Sequence, residues 1–95
     1  MYSVQFTNAA RRLFKKLPQD VQDKLKAEAA TLEDSPLSGE PLQGSHRPLR
    51  SLHLSYKGTA YRIIHRVVSD TKVIIVLLAD KRENIYKRLQ EMKLS

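Results

Sequence analysis

The sequence predicts a small α+β domain, with helices packed on an antiparallel sheet. Apolar residues recur at helical spacing in the first third of the chain, and helical spacing returns near its end. Between these segments, apolar and polar residues alternate with a period of two, which is typical of strands. The predicted order of elements is therefore β-α-α-β-β-β-α. At 95 residues, the chain is expected to form a single domain over residues 1–95.

The first part of the chain reads as a short strand and a helical hairpin. Residues 2–6 alternate between apolar and polar, and the oxygen of Thr7 or Asn8 can cap the helix that follows. Pro18 ends this helix or opens a second one, predicted over about 18–34. The predicted apolar faces of the two helices consist of Ala10, Leu13, Phe14 and Leu17, and of Val21, Leu25, Ala29 and Leu32. Both stripes are expected to pack on one face of the sheet.

The remaining elements are three strands and a last helix. Residues 35–48 hold three of the four prolines and two of the three glycines, which predicts a loop. Strands follow from about Leu49, over 60–68 and over 72–79, and their short connections make them antiparallel neighbours. The third is apolar on both faces, so it is predicted to lie inside the sheet. The last helix is predicted over 82–93, with Ile85, Leu89 and Met92 on its apolar face.

The net charge of +7 belongs entirely to the second half of the chain. Residues 1–45 hold six basic and six acidic residues, whereas residues 46–95 hold eleven basic and four acidic ones. This asymmetry favours a polyanionic partner, of which nucleic acid is the commonest. The alternative is a solvated basic surface that aids solubility.

Several function classes are excluded by what the sequence lacks. There is no cysteine, and the three histidines have no metal-binding spacing, so we expect no metal and no cofactor. Neither a G-x-S-x-G motif, nor a glycine-rich phosphate loop, nor a pair of carboxylates on neighbouring strands is present. The longest apolar run, residues 73–79, is too short to span a membrane, and no signal peptide is evident. We expect a soluble, cytoplasmic domain.

Basic and proton-transferring side chains concentrate on the predicted sheet and the start of the last helix. Arg62, Arg66 and His53 fall on neighbouring strands, and Arg82 and Tyr86 lie one helical turn apart. A guanidinium group suits a phosphodiester and its more highly charged transition state. A tyrosine or a histidine can move a proton. All five residues could line one groove.

Each of these residues also has a purely structural interpretation. Arg62 could form an ion pair with Asp80 or Glu83, and the ring of Tyr86 could simply pack on the sheet. His53 could be a strand residue that faces solvent. His65 shares its predicted face with apolar residues, which favours a hydrogen-bonded core histidine over a catalytic one.

The chain resembles the RelE/ParE superfamily of toxins from bacterial and archaeal toxin–antitoxin pairs. The resemblance rests on the hairpin pattern of Ala10 to Pro18, on Leu42 to Gly44 in the loop, on YRIIHRV from Tyr61, and on ADKRENIYKR from Ala79. It covers nearly the whole chain. It implies a microbial-RNase-like fold with a small twisted antiparallel sheet. For the RelE branch it implies ribosome-dependent cleavage of mRNA in the A site, which inhibits translation.

The resemblance also implies roles for individual residues. Arg62 matches the strand arginine that stabilises the scissile phosphate, Arg82 matches a second arginine, and Tyr86 matches a C-terminal tyrosine. The lysines that the branch often carries on the preceding strand are replaced here by Ser51 and His53, so His53 is the candidate general base. The further residues predicted to bind RNA or the ribosome are Arg47, Arg50, Lys57, Arg66 and Lys81.

Two functions of different class follow from the resemblance. One is a metal-independent endoribonuclease, in which the 2′-hydroxyl of the RNA attacks the adjacent phosphate. The other is a ParE-like toxin that is not a nuclease and inhibits DNA gyrase by binding it. In either case the implied partner is a neutralising antitoxin that covers the basic surface or the helical hairpin.

Overall fold

The structure, a computed structural model, describes residues 1–44 and 48–91. The predicted α+β class is confirmed. Within the described residues, no helix has both the length and the apolar character required to cross a bilayer. The elements in chain order are β1 (Ser3–Phe6), α1 (Asn8–Lys15), α2 (Gln19–Ala30), a 3-10 turn (Thr31–Glu33), β2 (Glu40–Pro41), β3 (Arg50–Tyr56), β4 (Thr59–Val68), β5 (Val73–Lys81) and α3 (Arg82–Glu91).

The sheet has five strands in the order β1-β5-β4-β3-β2. Strands β3, β4 and β5 form the predicted antiparallel series, and β1 pairs in parallel with β5. The prediction that the most apolar strand is interior is confirmed, because β5 lies between β1 and β4. An apolar strand in this position has helices available to cover both of its faces.

Helices cover the two faces of the sheet unequally. The hairpin of α1 and α2 covers one face, where Phe14, Leu25 and Ile63 belong to one buried cluster. Leu13 of α1 does not pack there as predicted, because it belongs to the buried cluster on the other face. On the other face, Ile85 and Leu89 of α3 belong to a smaller cluster with Ile64. Because α3 is short, it covers only part of this second face. Met92, predicted on the apolar face of α3, lies outside the described residues.

A β-bulge interrupts the pairing of β4 with β5. Ile64 pairs with Leu78 but His65 pairs with Val76, so Leu77 has no partner on β4. The extra residue lets Val76 and Ala79 join the same cluster, although strict alternation would place them on opposite faces. Sequence alternation alone did not predict this change of phase.

The predicted helix cap before α1 and the predicted turn between β3 and β4 are both present. The hydroxyl of Thr7 accepts a hydrogen bond from the backbone N–H of Ala10 at 3.1 Å, which caps α1. Lys57 and Gly58 connect β3 to β4, and both have positive φ angles, 50° and 77°. Two positive φ angles at the centre of a two-residue hairpin are typical of a type I′ turn, whose twist matches that of the strands.

The predicted loop over residues 35–48 contains a short strand that the sequence did not reveal. Glu40 and Pro41 pair with Ser51 and Arg50, which adds β2 to the edge of the sheet. Gly39 precedes it with a φ of +87°, and a Cβ there would lie 2.4 Å from the carbonyl oxygen of Ser51. Only glycine allows the backbone at position 39 to come this close to Ser51. The glycine that predicted a loop is therefore also what allows β2 to pair with β3. The second helix is also shorter than predicted, since it gives way to the 3-10 turn at Thr31.

His65 is fully buried on β4, but it is not the hydrogen-bonded core histidine that the sequence suggested. Neither ring nitrogen has a hydrogen-bond partner of good geometry among the described residues. Burial lowers the pKa of His65 below its ordinary value of 6.5, and the charge of Arg50 acts in the same direction. The carbonyl groups of Ile63 and Pro36 oppose this shift without offsetting it. The ring is therefore buried in its neutral form.

This burial predicts a specific loss of stability in mild acid. Because the folded-state pKa is below 6.5, the unfolded chain binds the proton more readily, and stability falls as the pH drops below about 6.5. Denaturant unfolding measured from about pH 7.5 to about pH 5 should show this decline, and His65→Leu should remove much of it.

The matched control is His53→Leu, which removes an exposed histidine from the neighbouring strand. This variant should keep the decline. An unchanged pH dependence in His65→Leu would contradict the prediction. The hydrogen bond from Lys57 lowers the pKa of Asp20 below its ordinary value of 3.8. The stability that depends on this carboxylate is therefore lost only at a pH below the range in which His65 is tested.

Candidate active site

Arg62 of β4 and Tyr86 of α3 are in direct contact on the face of the sheet that α3 partly covers. The guanidinium donates a hydrogen bond from Nη1 to the Tyr86 hydroxyl at 2.5 Å. Its Cζ also lies 5.3 Å from the centroid of the tyrosine ring, which is a cation–π distance. The two contacts restrain the guanidinium while leaving its other N–H groups available. Tyr86 itself is 50% exposed, so the contact lies at the surface.

His53 and Arg82 lie beside this contact. His53 is exposed and stands directly opposite Arg62 in the register of β3 and β4. Arg82 is the exposed first residue of α3. The side chains of His53, Arg62 and Arg82 line one shallow groove, whose floor and wall include Leu54, Ser55, Ala60 and Tyr61. The structure thus brings together the four residues that the sequence proposed as catalytic.

The ion pair considered for Arg62 from the sequence does not form. Within the described part of the chain, no carboxylate oxygen lies within 4.0 Å of the Arg62 guanidinium. Asp80, its partner in the register of β4 and β5, pairs instead with Arg88 at 2.8 Å. Among the residues that the structure describes, no acidic side chain therefore neutralises the charge of Arg62.

Asp80, which the sequence suggested only as a possible partner of Arg62, joins the end of β5 to α3. Its side chain is 8% exposed, and its Oδ1 accepts hydrogen bonds from the backbone N–H of Lys81 at 2.7 Å and from Asn84 Nδ2 at 3.3 Å. Together with the Arg88 contact, these bonds tie the end of β5 to the first two turns of α3. A carboxylate just before a helix N-terminus is also favoured by the helix dipole. The available sequence signal was an aspartate followed at i+4 and i+8 by Asn84 and Arg88.

Of the residues predicted to bind RNA or the ribosome, Lys81 lies near the groove, Arg66 lies away from it, and Arg47 lies outside the described residues. Lys81 adjoins Arg82 at the end of β5, beside the turn between β3 and β4. Arg66 is exposed four residues further along β4 than Arg62, a distance of about 13 Å along the strand. Arg66 is therefore separated from the groove that the sequence analysis placed it in. Arg47 falls in the segment that the structure does not describe.

The other two predicted RNA-binding residues have contacts within the protein. Arg50 donates from Nη2 to the carbonyl oxygens of Leu37 and Gly39, at 2.6 and 3.1 Å, and so holds the segment before β2. Lys57 forms an exposed ion pair with Asp20 at 2.8 Å, which the hydroxyl of Tyr56 joins. Exposed pairs of this kind are weak, so Lys57 stays able to exchange partners. The guanidinium of Arg50 is less able to do so because two carbonyl groups hold it.

Comparison with known proteins identifies the class to which this fold and site belong. The model of the family described as ParE-like toxin of type II bacterial toxin–antitoxin systems matches residues 4–90. Toxin RelG of Mycobacterium tuberculosis is 32% identical over 90 residues, which cover 92% of this chain and 98% of that toxin. The chain therefore belongs to the ParE-like toxin family, within the RelE/ParE superfamily that its motifs resemble.

Solved structures agree with this assignment. The M. tuberculosis toxin–antitoxin complex RelBE2 contains a chain with 31% sequence identity and a TM-score of 0.73, and the match covers 85% of this chain and 98% of that one. Free RelE from E. coli, in a form with two arginines replaced by alanine, also gives a TM-score of 0.73 at 21% identity. That match covers 97% of this chain and 98% of RelE, and it shows that the fold is shared.

The exposure of Tyr86 predicts that it contributes little to stability. Tyr86→Ala removes a surface cation–π contact and one exposed hydrogen bond, so the free energy of unfolding should fall by only about 1 kcal/mol or less. Ile85→Ala, one residue earlier on α3, removes a fully buried side chain and should cost about 2–5 kcal/mol. Denaturant titration of both variants measures the difference. Equal losses would mean that Tyr86 is a structural residue of α3.

Proposed function

We propose that this toxin is a ribosome-dependent endoribonuclease that cleaves mRNA by attack of the 2′-hydroxyl on the adjacent phosphate. The observation that carries the proposal is the Arg62 guanidinium, which Tyr86 restrains and no carboxylate within the described residues neutralises. Such a group can bind a scissile phosphate without first breaking an ion pair. Its half-buried position at an open surface groove suits an RNA strand better than a small substrate.

The proposed chemistry needs a base, an acid and charge stabilisers. The base removes the proton from the 2′-hydroxyl, the 2′-oxygen bonds to phosphorus, and the bond from phosphorus to the 5′-oxygen breaks. The products are a 2′,3′-cyclic phosphate and a 5′-hydroxyl, whose proton comes from the acid. Arg62 and Arg82 stabilise the additional negative charge on the phosphate oxygens in the transition state.

His53 and Tyr86 are the candidates for the two proton transfers. They lie on either side of Arg62, since His53 is its cross-strand neighbour and Tyr86 accepts its hydrogen bond. This arrangement matches an in-line reaction, in which the attacking and leaving oxygens lie on opposite sides of the phosphorus. We assign His53 as the base and Tyr86 as the acid.

We also propose that a cognate antitoxin protein binds and neutralises this chain. The matched solved structures include toxin–antitoxin complexes, among them RelBE2 of M. tuberculosis and RelBE of E. coli. The open basic groove offers a partner the same positive charge that it offers RNA. The ribosome and its mRNA are the proposed targets of the free toxin.

Cell-free translation tests the proposed activity. Purified protein added to a bacterial translation reaction should cut mRNA within codons on the ribosome, as mapped by primer extension. Arg62→Ala and Arg82→Ala should each lower the cleavage rate by about 10²-fold or more, because each removes charge stabilisation in the transition state. Tyr86→Phe keeps the ring beside Arg62 but loses the hydroxyl, and should cost about 10²–10⁴-fold.

The matched control is Arg11→Ala, which removes an exposed arginine from α1 with the same change in net charge. It should leave the cleavage rate within about threefold of the unmodified protein. Intact mRNA together with inhibited supercoiling by purified DNA gyrase would overturn the nuclease proposal and support gyrase inhibition.

Binding should depend steeply on salt. Ribosomes whose A-site codon carries 2′-deoxynucleotides cannot be cleaved by this chemistry, so they allow binding to be measured alone. Affinity should fall by at least about tenfold between about 50 and 200 mM salt, because binding releases counterions from RNA phosphates. Each of Arg62→Ala and Arg82→Ala should reduce the slope of log affinity against log salt by about 0.7–1. A flat salt response would show that phosphate contacts do not drive binding.

A further inference from the structure

Arg62 and Asp80 are neighbours that do not pair. They are cross-strand partners in the register of β4 and β5, with their Cα atoms on adjacent strands about 5 Å apart. Side chains at directly opposed positions point to the same face of a sheet, and opposite charges there attract. The Arg62 guanidinium nevertheless turns to Tyr86, and the Asp80 carboxylate turns to Arg88.

We propose that Arg88 is a positioning residue that keeps Arg62 available for phosphate by occupying the Asp80 carboxylate. The proposal rests on the nuclease function proposed above. It assigns to Arg88 a role in the reaction without any contact with RNA. In this arrangement two guanidinium groups compete for one carboxylate, and the outcome decides whether the groove holds a free positive charge.

The burial of Asp80 makes this competition strong. Its side chain is 8% exposed, and a buried carboxylate that loses its cation is strongly destabilising. The hydrogen bonds from Lys81 N–H and Asn84 compensate the carboxylate only in part, since neither donor carries a charge. If Arg88 is removed, the nearest cation in the strand register is Arg62. Pairing with Asp80 would then draw Arg62 away from Tyr86 and neutralise it.

Helix α3 takes part in both contacts, because it carries Arg88, which binds Asp80, and Tyr86, which binds Arg62. Asn84 and Arg88 are four residues apart and so share the helix face that meets Asp80. Tyr86 lies midway between them in sequence and therefore on another side of the helix, where it contacts Arg62. The Arg88 side chain is 36% exposed although the carboxylate that it contacts is buried. Arg88 therefore pairs with Asp80 from the protein surface.

A pair of variants tests the proposal through cleavage. Arg88→Leu should lower the rate of mRNA cleavage at least about tenfold. Asp80→Asn in the same chain should restore it to within about threefold, because the isosteric amide keeps an oxygen for Lys81 N–H but no charge to capture Arg62. Lys87→Leu, which removes an adjacent exposed cation of α3, should leave the rate unchanged. If the double variant is as inactive as Arg88→Leu, Arg88 acts only by holding α3 and the proposal is overturned.

NMR separates this proposal from the nuclease function itself. The ring signals of Tyr86 and the guanidinium signal of Arg62 should shift in Arg88→Leu and return in the double variant. If these shifts occur while the unmodified protein cleaves no mRNA, the nuclease proposal fails and the competition for Asp80 stands. If the unmodified protein cleaves mRNA and Arg88→Leu leaves both signals in place, the competition is refuted. Should Arg88→Leu not fold, Arg88→Gln, which keeps a hydrogen-bond donor without the charge, replaces it in both measurements.

Discussion

The burial of one carboxylate, that of Asp80, is the constraint on which the candidate site depends. A charge in this position must be compensated, and the chain compensates it with one donor from the end of β5 and two from the first turns of α3. These bonds fix where α3 begins and how it is rotated on the sheet. Since Arg82 and Tyr86 belong to the same two turns, the bonds of Asp80 also fix the side chains that line the groove.

The apolar contacts of α3 act together with this polar junction. Ile85 and Leu89 pack with Ile64 on the less covered face of the sheet. Apolar contacts with the sheet therefore stabilise the helix in addition to the hydrogen bonds to Asp80. A single amphipathic helix of ten residues would be unstable alone in water. Its stability comes from the sheet, which leaves its outward face free to present Tyr86. The same short helix leaves the groove open beside it.

The sequence predicted the fold well where local periodicity decides structure. The helical hairpin, the three antiparallel strands and the interior position of β5 all follow from apolar spacing. The bulge at Leu77 and the short strand β2 were missed because they depend on contacts between distant segments. Gly39 illustrates the difficulty, since a glycine that reads as part of a loop is required by the close approach of the Ser51 carbonyl.

The site was predictable in its members but not in its electrostatics. Helical spacing related Arg82 to Tyr86, and strand alternation related His53 to Arg62. Which cation pairs with Asp80 was not predictable, because sequence register makes Arg62 the natural partner and only the docking of α3 brings Arg88 closer. The distinction matters for the proposed function, since an arginine paired with a buried carboxylate is a structural residue. An arginine restrained by a tyrosine at an open groove is instead a group ready to bind an anion.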